Sequence, residues 1–93
     1  MAKIVWTSQS LKDLKLIYDY IKTDSTFYAN RFLNVLVSRT NQLVDFPESG
    51  RIVPEKADPS IRELIEGNYR IFYRLHRNTV TILRIHNASR KIK

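Results

Sequence analysis

The sequence predicts an α+β fold in the order β-α-α-β-β-β, with a helical hairpin packed on one face of a mainly antiparallel four-stranded sheet. Two segments near the N-terminus carry apolar residues at spacings of three and four, the period of an amphipathic helix. After Ser60 the period changes to two, which is typical of strands with one buried face. A short apolar run, KIVW, precedes the first helix and supplies the remaining strand.

The first helix is predicted from Ser8 to Thr23. Thr7 and Ser8 follow the apolar run, and their hydroxyl groups are good N-caps. The other face of this helix is rich in Lys and Asp, as expected of a surface in contact with water. Its apolar stripe consists of Leu11, Leu14, Ile17, Tyr18 and Ile21.

The second helix is predicted to begin after Asp24 and Ser25 and to end at Pro47. Because the connection between the two helices is so short, they must form an antiparallel hairpin. The stripe of the second helix consists of Ala29, Phe32, Leu33, Leu36, Leu43 and Phe46. The segment PESGRIVPEKADPS follows, and its prolines and lack of periodicity predict a loop. A loop of about 14 residues is long for a compact domain and more often functional than idle. The alternative is a segment that only carries the chain from the helix end to the sheet edge.

Three strands are predicted in the last third of the chain, at 61–65, 69–76 and 80–87, joined by hairpin turns. The last turn is predicted to contain three residues, Arg77 to Thr79, so that residue 76 faces 80, 72 faces 84 and 70 faces 86. A two-residue turn would place Arg84 on the face that receives the helices, where an unpaired guanidinium is strongly unfavourable.

One face of this predicted sheet is basic. Arginine is more frequent there than lysine, and its planar fork suits phosphate. The alternative is a solvated face that only blocks edge pairing and keeps the protein in solution. The basic residues are Arg62, Arg70, Arg84 and His86, over an apolar floor of Leu64, Phe72 and Ile82.

Length and composition limit the class of protein. The chain has 93 residues, which fit a single domain over 1–93, and a formal net charge of +7, which favours nucleic acid or an acidic protein as partner. The sequence has no cysteine, so it offers no thiolate metal site, and we expect neither a metal nor another cofactor. We see no signal peptide and no run of roughly 20 apolar residues. We therefore expect a soluble, cytoplasmic protein without membrane contact.

Several segments, in this order, resemble the RelE/ParE family of bacterial toxins from type II toxin–antitoxin pairs. They are FPESGRIVPE, IRELIEGNYRIFYRL and VTILRIHNASR. The resemblance covers nearly the whole chain. It implies a cognate antitoxin that holds the toxin inactive, and it implies growth inhibition. It leaves two targets open, because RelE-like members cleave mRNA on the ribosome without a metal, whereas ParE-like members poison DNA gyrase and have no nuclease site.

For the nuclease reading, which we rank first from the sequence, the resemblance indicates a set of catalytic residues. Arg70 in NYRI matches the strand arginine that grips the scissile phosphate, with Arg62 and Arg84 beside it. His86 matches a histidine of some ribosome-dependent relatives and is suited to proton transfer near neutral pH. Glu55 or Glu63 is a candidate general base. Further contacts to nucleic acid are expected from Arg74, Arg90 and Lys91.

Other features favour the gyrase reading or a third class. No tyrosine follows Tyr73, whereas RelE-like enzymes often have one near the C-terminus, and the two long helices are more typical of ParE-like members. A plain nucleic-acid-binding module is the third class. Its only candidates for stacking on bases are Phe72 and Tyr69, and no recognition helix is evident.

Overall fold

The computed structural model describes residues 1–88 and confirms the α+β fold. The sheet order is β1-β5-β4-β3-β2, with β1 parallel to β5 and the other pairs antiparallel. Strand β2 is an addition to the predicted order, since it lies in the segment predicted as a loop. The elements are β1 (Lys3–Trp6), α1 (Ser8–Lys22), α2 (Thr26–Asp45), β2 (Arg51–Ile52), β3 (Ile61–Glu66), β4 (Tyr69–His76) and β5 (Thr79–Asn87).

Both helices begin where their capping residues predict. The side-chain oxygen of Thr7 accepts a hydrogen bond from the backbone N–H of Ser10 at 3.0 Å. The hydroxyl of Ser25 accepts one from the N–H of Tyr28 at 3.2 Å. Each cap satisfies one of the backbone donors that a helix start leaves without an intrahelical partner.

The main core lies between the helical hairpin and one face of the sheet. Its fully buried members include Leu36 and Leu43 of α2, Ile71 and Tyr73 of β4, and Ile82 of β5. A smaller cluster lies on the other face and is formed by Val53, Ile61 and Phe72, with Leu83 packed against it. The segment that follows β2 therefore covers part of the face that the sequence predicts to be open.

The turn between β4 and β5 has two residues, so the prediction of a three-residue turn is wrong. His76 faces Thr79, and Arg77 occupies the left-handed region with a φ of 54°. The predicted pairing of residue 76 with residue 80 is therefore also wrong.

A β-bulge restores the predicted register further along the same pair of strands. Tyr73 faces Ile82 whereas Phe72 faces Arg84, so Leu83 is an extra residue in β5. Beyond the bulge, Phe72 pairs with Arg84 and Arg70 pairs with His86, as predicted. The extra residue keeps Arg84 off the helix-covered face, which is the constraint that a longer turn was expected to satisfy.

The buried hydroxyl of Tyr73 fixes the segment between α2 and β2. It donates a hydrogen bond to the carbonyl of Pro47 at 2.8 Å and accepts one from the N–H of Gly50 at 2.9 Å. A Cβ atom on Gly50 would lie 2.5 Å from this hydroxyl and 2.7 Å from the carbonyl oxygen of Glu63. Glycine is required here because the backbone passes so close to β3 and β4.

We predict that Tyr73→Phe lowers the free energy of unfolding by about 1–3 kcal/mol, because the buried N–H of Gly50 and the carbonyl of Pro47 would lose a partner without gaining water. Urea unfolding followed by circular dichroism measures this change. Tyr20→Phe is the matched control, since Tyr20 is exposed. Equal stability of the two variants would contradict the role given to the Tyr73 hydroxyl.

Candidate functional site

Two arginines and two glutamates alternate across the sheet and form what we call the Arg70 ion-pair chain: Arg51, Glu63, Arg70 and Glu55. Nε of Arg51 lies 2.6 Å from one carboxylate oxygen of Glu63, and Nε of Arg70 lies 2.5 Å from the other. The two outer nitrogens of Arg70 bind both oxygens of Glu55, at 2.7 and 3.0 Å. Each of the three guanidinium nitrogens of Arg70 therefore binds a carboxylate oxygen.

Strand register brings the residues of the Arg70 ion-pair chain together. Glu63 on β3 faces Arg51 on β2 and Phe72 on β4, and Arg70 lies two residues before Phe72 on the same face. The Glu63 side chain is 0% exposed and that of Arg70 only 12%. A buried carboxylate is stable only when it is paired, so Glu63 requires its two arginines.

The ion pairs favour the charged forms of Glu55, Glu63 and Arg70. The hydrogen bonds from Arg70 lower the pKa of Glu55 to about 2. Burial opposes ionisation of Glu63, but the hydrogen bonds from Arg70 and Arg51 outweigh it, and the pKa of Glu63 lies below its usual value. The same pairs raise the pKa of Arg70. Carboxylates with lowered pKa values are weak proton acceptors, which disfavours either glutamate as a general base.

Phe72 connects Arg70 with His86. The Arg70 guanidinium carbon lies 4.8 Å from the centre of the Phe72 ring, and the His86 ring meets Phe72 edge-on at 5.8 Å. Burial, together with the adjacent Arg84, lowers the pKa of His86 below 6.5, so the imidazole is mainly neutral at pH 7. The structure thus brings Arg70 and His86 to one face, as predicted.

Arg84 pairs with an acidic residue that sequence reasoning missed. Its Nε lies 2.9 Å from Oδ2 of Asp13, and the same oxygen accepts the backbone N–H of Ile85 at 3.0 Å. Asp13 is buried on α1, and its other oxygen accepts a hydrogen bond from Gln9 at 3.2 Å. Ser10, Asp13 and Ile17 are the buried residues of α1, at spacings of three and four that place them on one helix face. That spacing is the only signal in the sequence that could have indicated the role of Asp13.

Arg62 lies on the opposite face of the sheet, so its predicted place beside Arg70 is wrong. It faces Tyr73 across the β3–β4 pair, and its guanidinium donates to the carbonyls of Gly50 at 2.9 Å and Glu48 at 3.2 Å. Even-numbered residues of β3 face odd-numbered residues of β4, so Arg62 shares a face with Tyr73 and not with Arg70. The same rule and the bulge place Leu64 and Ile82 in the main core, not on the predicted floor of the basic face.

The remaining predicted residues are peripheral or undescribed. Arg74 is about half exposed and lies 3.8 Å from the carboxylate of Asp58. Arg90 and Lys91 lie outside the described residues. Within residues 1–88 no cluster of three or more His, Asp or Glu side chains is arranged to hold a metal ion. The helices of this part of the chain are too short or too polar to cross a membrane.

A cleft of about 430 Å³ separates α1 from the end of β5. Leu16 and Tyr20 form its apolar α1 side, and both are strongly exposed. Arg84 and His86 line its β5 side. β1 ends opposite Ile82, so it does not reach this part of β5. The cleft therefore combines apolar groups of α1 with the Arg84–Asp13 ion pair and the His86 ring at one edge of the molecule.

We predict that Glu63→Gln reduces the dependence of stability on acid pH. The folded-state pKa of Glu63 is below its usual 4.5, so its contribution is fully present above that pH and is lost as pH falls through the folded-state value. The unfolding free energy of the wild type should fall between about pH 5 and pH 3, and that of the variant should fall less. The same slope in both proteins would contradict this account. Glu48→Gln, which removes an exposed glutamate, should keep the wild-type slope.

Comparisons with known proteins agree with this architecture. The family model described as ParE toxin of type II toxin-antitoxin system, parDE, matches residues 4–92. Toxin RelE2 of Caulobacter vibrioides is 37% identical over 91 residues, which cover 97% of this chain and 99% of the relative. A solved structure of the chromosomal ParDE TA system from P. aeruginosa superposes with a TM-score of 0.76 at 26% identity, covering 94% of this chain and 96% of that one. The chain therefore belongs to the RelE/ParE family of toxins from type II toxin–antitoxin systems.

Proposed function

We propose that this toxin arrests bacterial growth as a ParE-like inhibitor of DNA gyrase, in the cytoplasm, and not as an mRNA endonuclease. The observation that carries the proposal is that each arginine expected to hold a scissile phosphate already has partners within the chain. Arg70 binds Glu55 and Glu63, Arg84 binds Asp13, and Arg62 binds two backbone carbonyls.

Metal-free cleavage of RNA requires cations that stabilise the phosphorane and a base that removes the 2′-OH proton. Glu55 and Glu63, the candidate bases, are the carboxylates that neutralise Arg70. A phosphate at this place would have to displace one of them. The chemistry of cleavage is therefore poorly supported by the arrangement of these side chains.

The charge of the predicted basic face also supports the gyrase proposal. Arg51 and Arg70 are balanced by Glu63 and Glu55, and Arg84 is balanced by Asp13. The formal net charge of +7 must therefore come from other parts of the chain, among them the exposed Lys12, Lys15 and Lys22 of α1. A toxin that binds a protein target has no need of a phosphate-binding strand face.

One observation favours the nuclease as a second candidate. His86, whose pKa is lowered by burial, shares the Phe72 ring with Arg70, so a proton-transfer group and a guanidinium lie close together. Cleavage by this pair requires Glu55 to leave Arg70 first. The RelE-like reading is therefore the alternative against which the gyrase proposal is tested.

Membership of the family implies a cognate antitoxin. The formal net charge of +7 favours an acidic segment, and the apolar α1 side of the cleft between α1 and β5 suits apolar side chains of that segment. Copurification with the product of the neighbouring gene identifies this partner, which then serves as the control that reverses toxicity.

We predict that the purified toxin inhibits supercoiling by gyrase and accumulates gyrase–DNA cleavage complexes, and that added antitoxin reverses both effects. In parallel, primer extension on RNA from induced cells should show no new cuts within translated codons. Codon-register cuts with unimpaired supercoiling would overturn the proposal in favour of the nuclease.

A matched pair of histidine variants extends this test. Under the gyrase proposal, His86→Gln should arrest growth as strongly as His76→Gln, which changes an exposed histidine next to the β4–β5 turn. A general acid or base removed from a nuclease would lower its rate by about 10²–10⁴-fold. Loss of toxicity in folded His86→Gln alone would therefore support the nuclease.

A further inference from the structure

We propose that Glu55 is an internal, displaceable ligand of Arg70, and that Arg70 is a binding site for one carboxylate side chain of a partner protein. The inference rests on contacts within the chain and does not depend on whether gyrase is the target.

The site has two fixed supports. Glu63 holds Nε of Arg70 from a fully buried position on the neighbouring strand, and the Phe72 ring lies beneath the guanidinium. Neither support moves without disturbing the sheet. They leave the two outer nitrogens of Arg70 aligned as a fork, the geometry that binds a planar carboxylate through two hydrogen bonds.

The third contact of Arg70, with Glu55, differs from the two supports because Glu55 is exposed. Glu55 belongs to the segment between β2 and β3, and its side chain is 53% exposed although it binds the fork. The segment is anchored in the small core by Val53 before Glu55 and by Ile61 after it. Residues 54–57 are exposed. Glu55 can therefore leave Arg70 without uncovering the core.

Because the Glu55 side chain is half exposed, solvent partly screens its pairing, and a carboxylate from another molecule could replace it while keeping the same two hydrogen bonds to Arg70. Protonation does not release Glu55 near neutral pH, because its pKa is about 2. Release therefore requires competition by another anion. The fork is then open on the side that faces solvent.

Charge favours a monoanion such as a carboxylate over a phosphate dianion as the competitor. Without Glu55, the Arg70 ion-pair chain contains the two cations Arg51 and Arg70 and the one carboxylate of Glu63. It then has an excess of one positive charge. A single carboxylate restores neutrality. A phosphate dianion would leave excess negative charge beside the buried Glu63. Arg84 would not balance it, since Asp13 already pairs with Arg84.

The test is a titration of the isotopically labelled full chain at pH 7 and constant ionic strength, with acetate as the probe and inorganic phosphate in a parallel series. The NMR signals of the Arg70 side chain and the His86 ring report occupancy. In Glu55→Gln, acetate should bind saturably and tighter than in the wild type by about fivefold or more, because the internal competitor is gone. Glu48→Gln removes the same charge at an exposed position that makes no contact with Arg70, and it should behave as the wild type.

Equal acetate affinity of Glu55→Gln and Glu48→Gln would overturn the proposal. Tighter binding of phosphate than of acetate would overturn the assignment of a carboxylate ligand. Adding Arg70→Lys to Glu55→Gln keeps the charge but removes the fork, so saturable acetate binding should disappear. Its persistence in the folded double variant would also contradict the proposal.

Discussion

The buried carboxylate of Glu63, held between Arg51 and Arg70, is the interaction on which the sheet and its open face depend. A fully buried charge is tolerated only when its partners are in place. Glu63 therefore requires β2, which supplies Arg51, and it fixes the guanidinium of Arg70 over Phe72. Through Arg70 it also fixes Glu55 and the segment that carries it. This pairing thus connects an edge strand, a loop and the candidate site.

The pairing of Glu63 with Arg51 and Arg70 changes the interpretation of the basic face. Arginines on a strand suggest phosphate when only their sequence is considered, but here two of them are balanced by glutamates from adjacent segments, and Arg84 is balanced by Asp13 of α1. Because RelE-like and ParE-like toxins share one scaffold, the fold does not identify the target. The pairing of these side chains is the observation from which we propose an inhibitor of a protein target.

Most of the fold was predictable because it depends on local signals. Thr7 and Ser25 mark the helix starts, and the apolar periods give the element types. The bulge at Leu83 was not predictable, since it resolves a conflict between a two-residue turn and the placement of Arg84. Arg62 was misplaced because the register between β3 and β4 depends on pairing that the strand pattern does not specify.

The site was less predictable than the fold, because its partners are distant in sequence. Asp13 and Arg84 are 71 residues apart, and only the packing of α1 beside β5 brings them together. Glu63 was a candidate general base from the sequence, but its burial between Arg51 and Arg70 was not evident there. Basic residues are visible in a sequence, whereas the acids that neutralise them become evident only in three dimensions.

A double-mutant cycle on Glu63 and Arg70 tests the central claim most directly. The free energies of unfolding of Glu63→Gln, Arg70→Met and the double variant give the coupling between the two side chains. We expect a coupling of about 1–3 kcal/mol, because the pair is buried and hydrogen-bonded. The same cycle on the exposed pair Arg74 and Asp58 should show no measurable coupling. A Glu63–Arg70 coupling as small as that of the exposed pair would contradict the account.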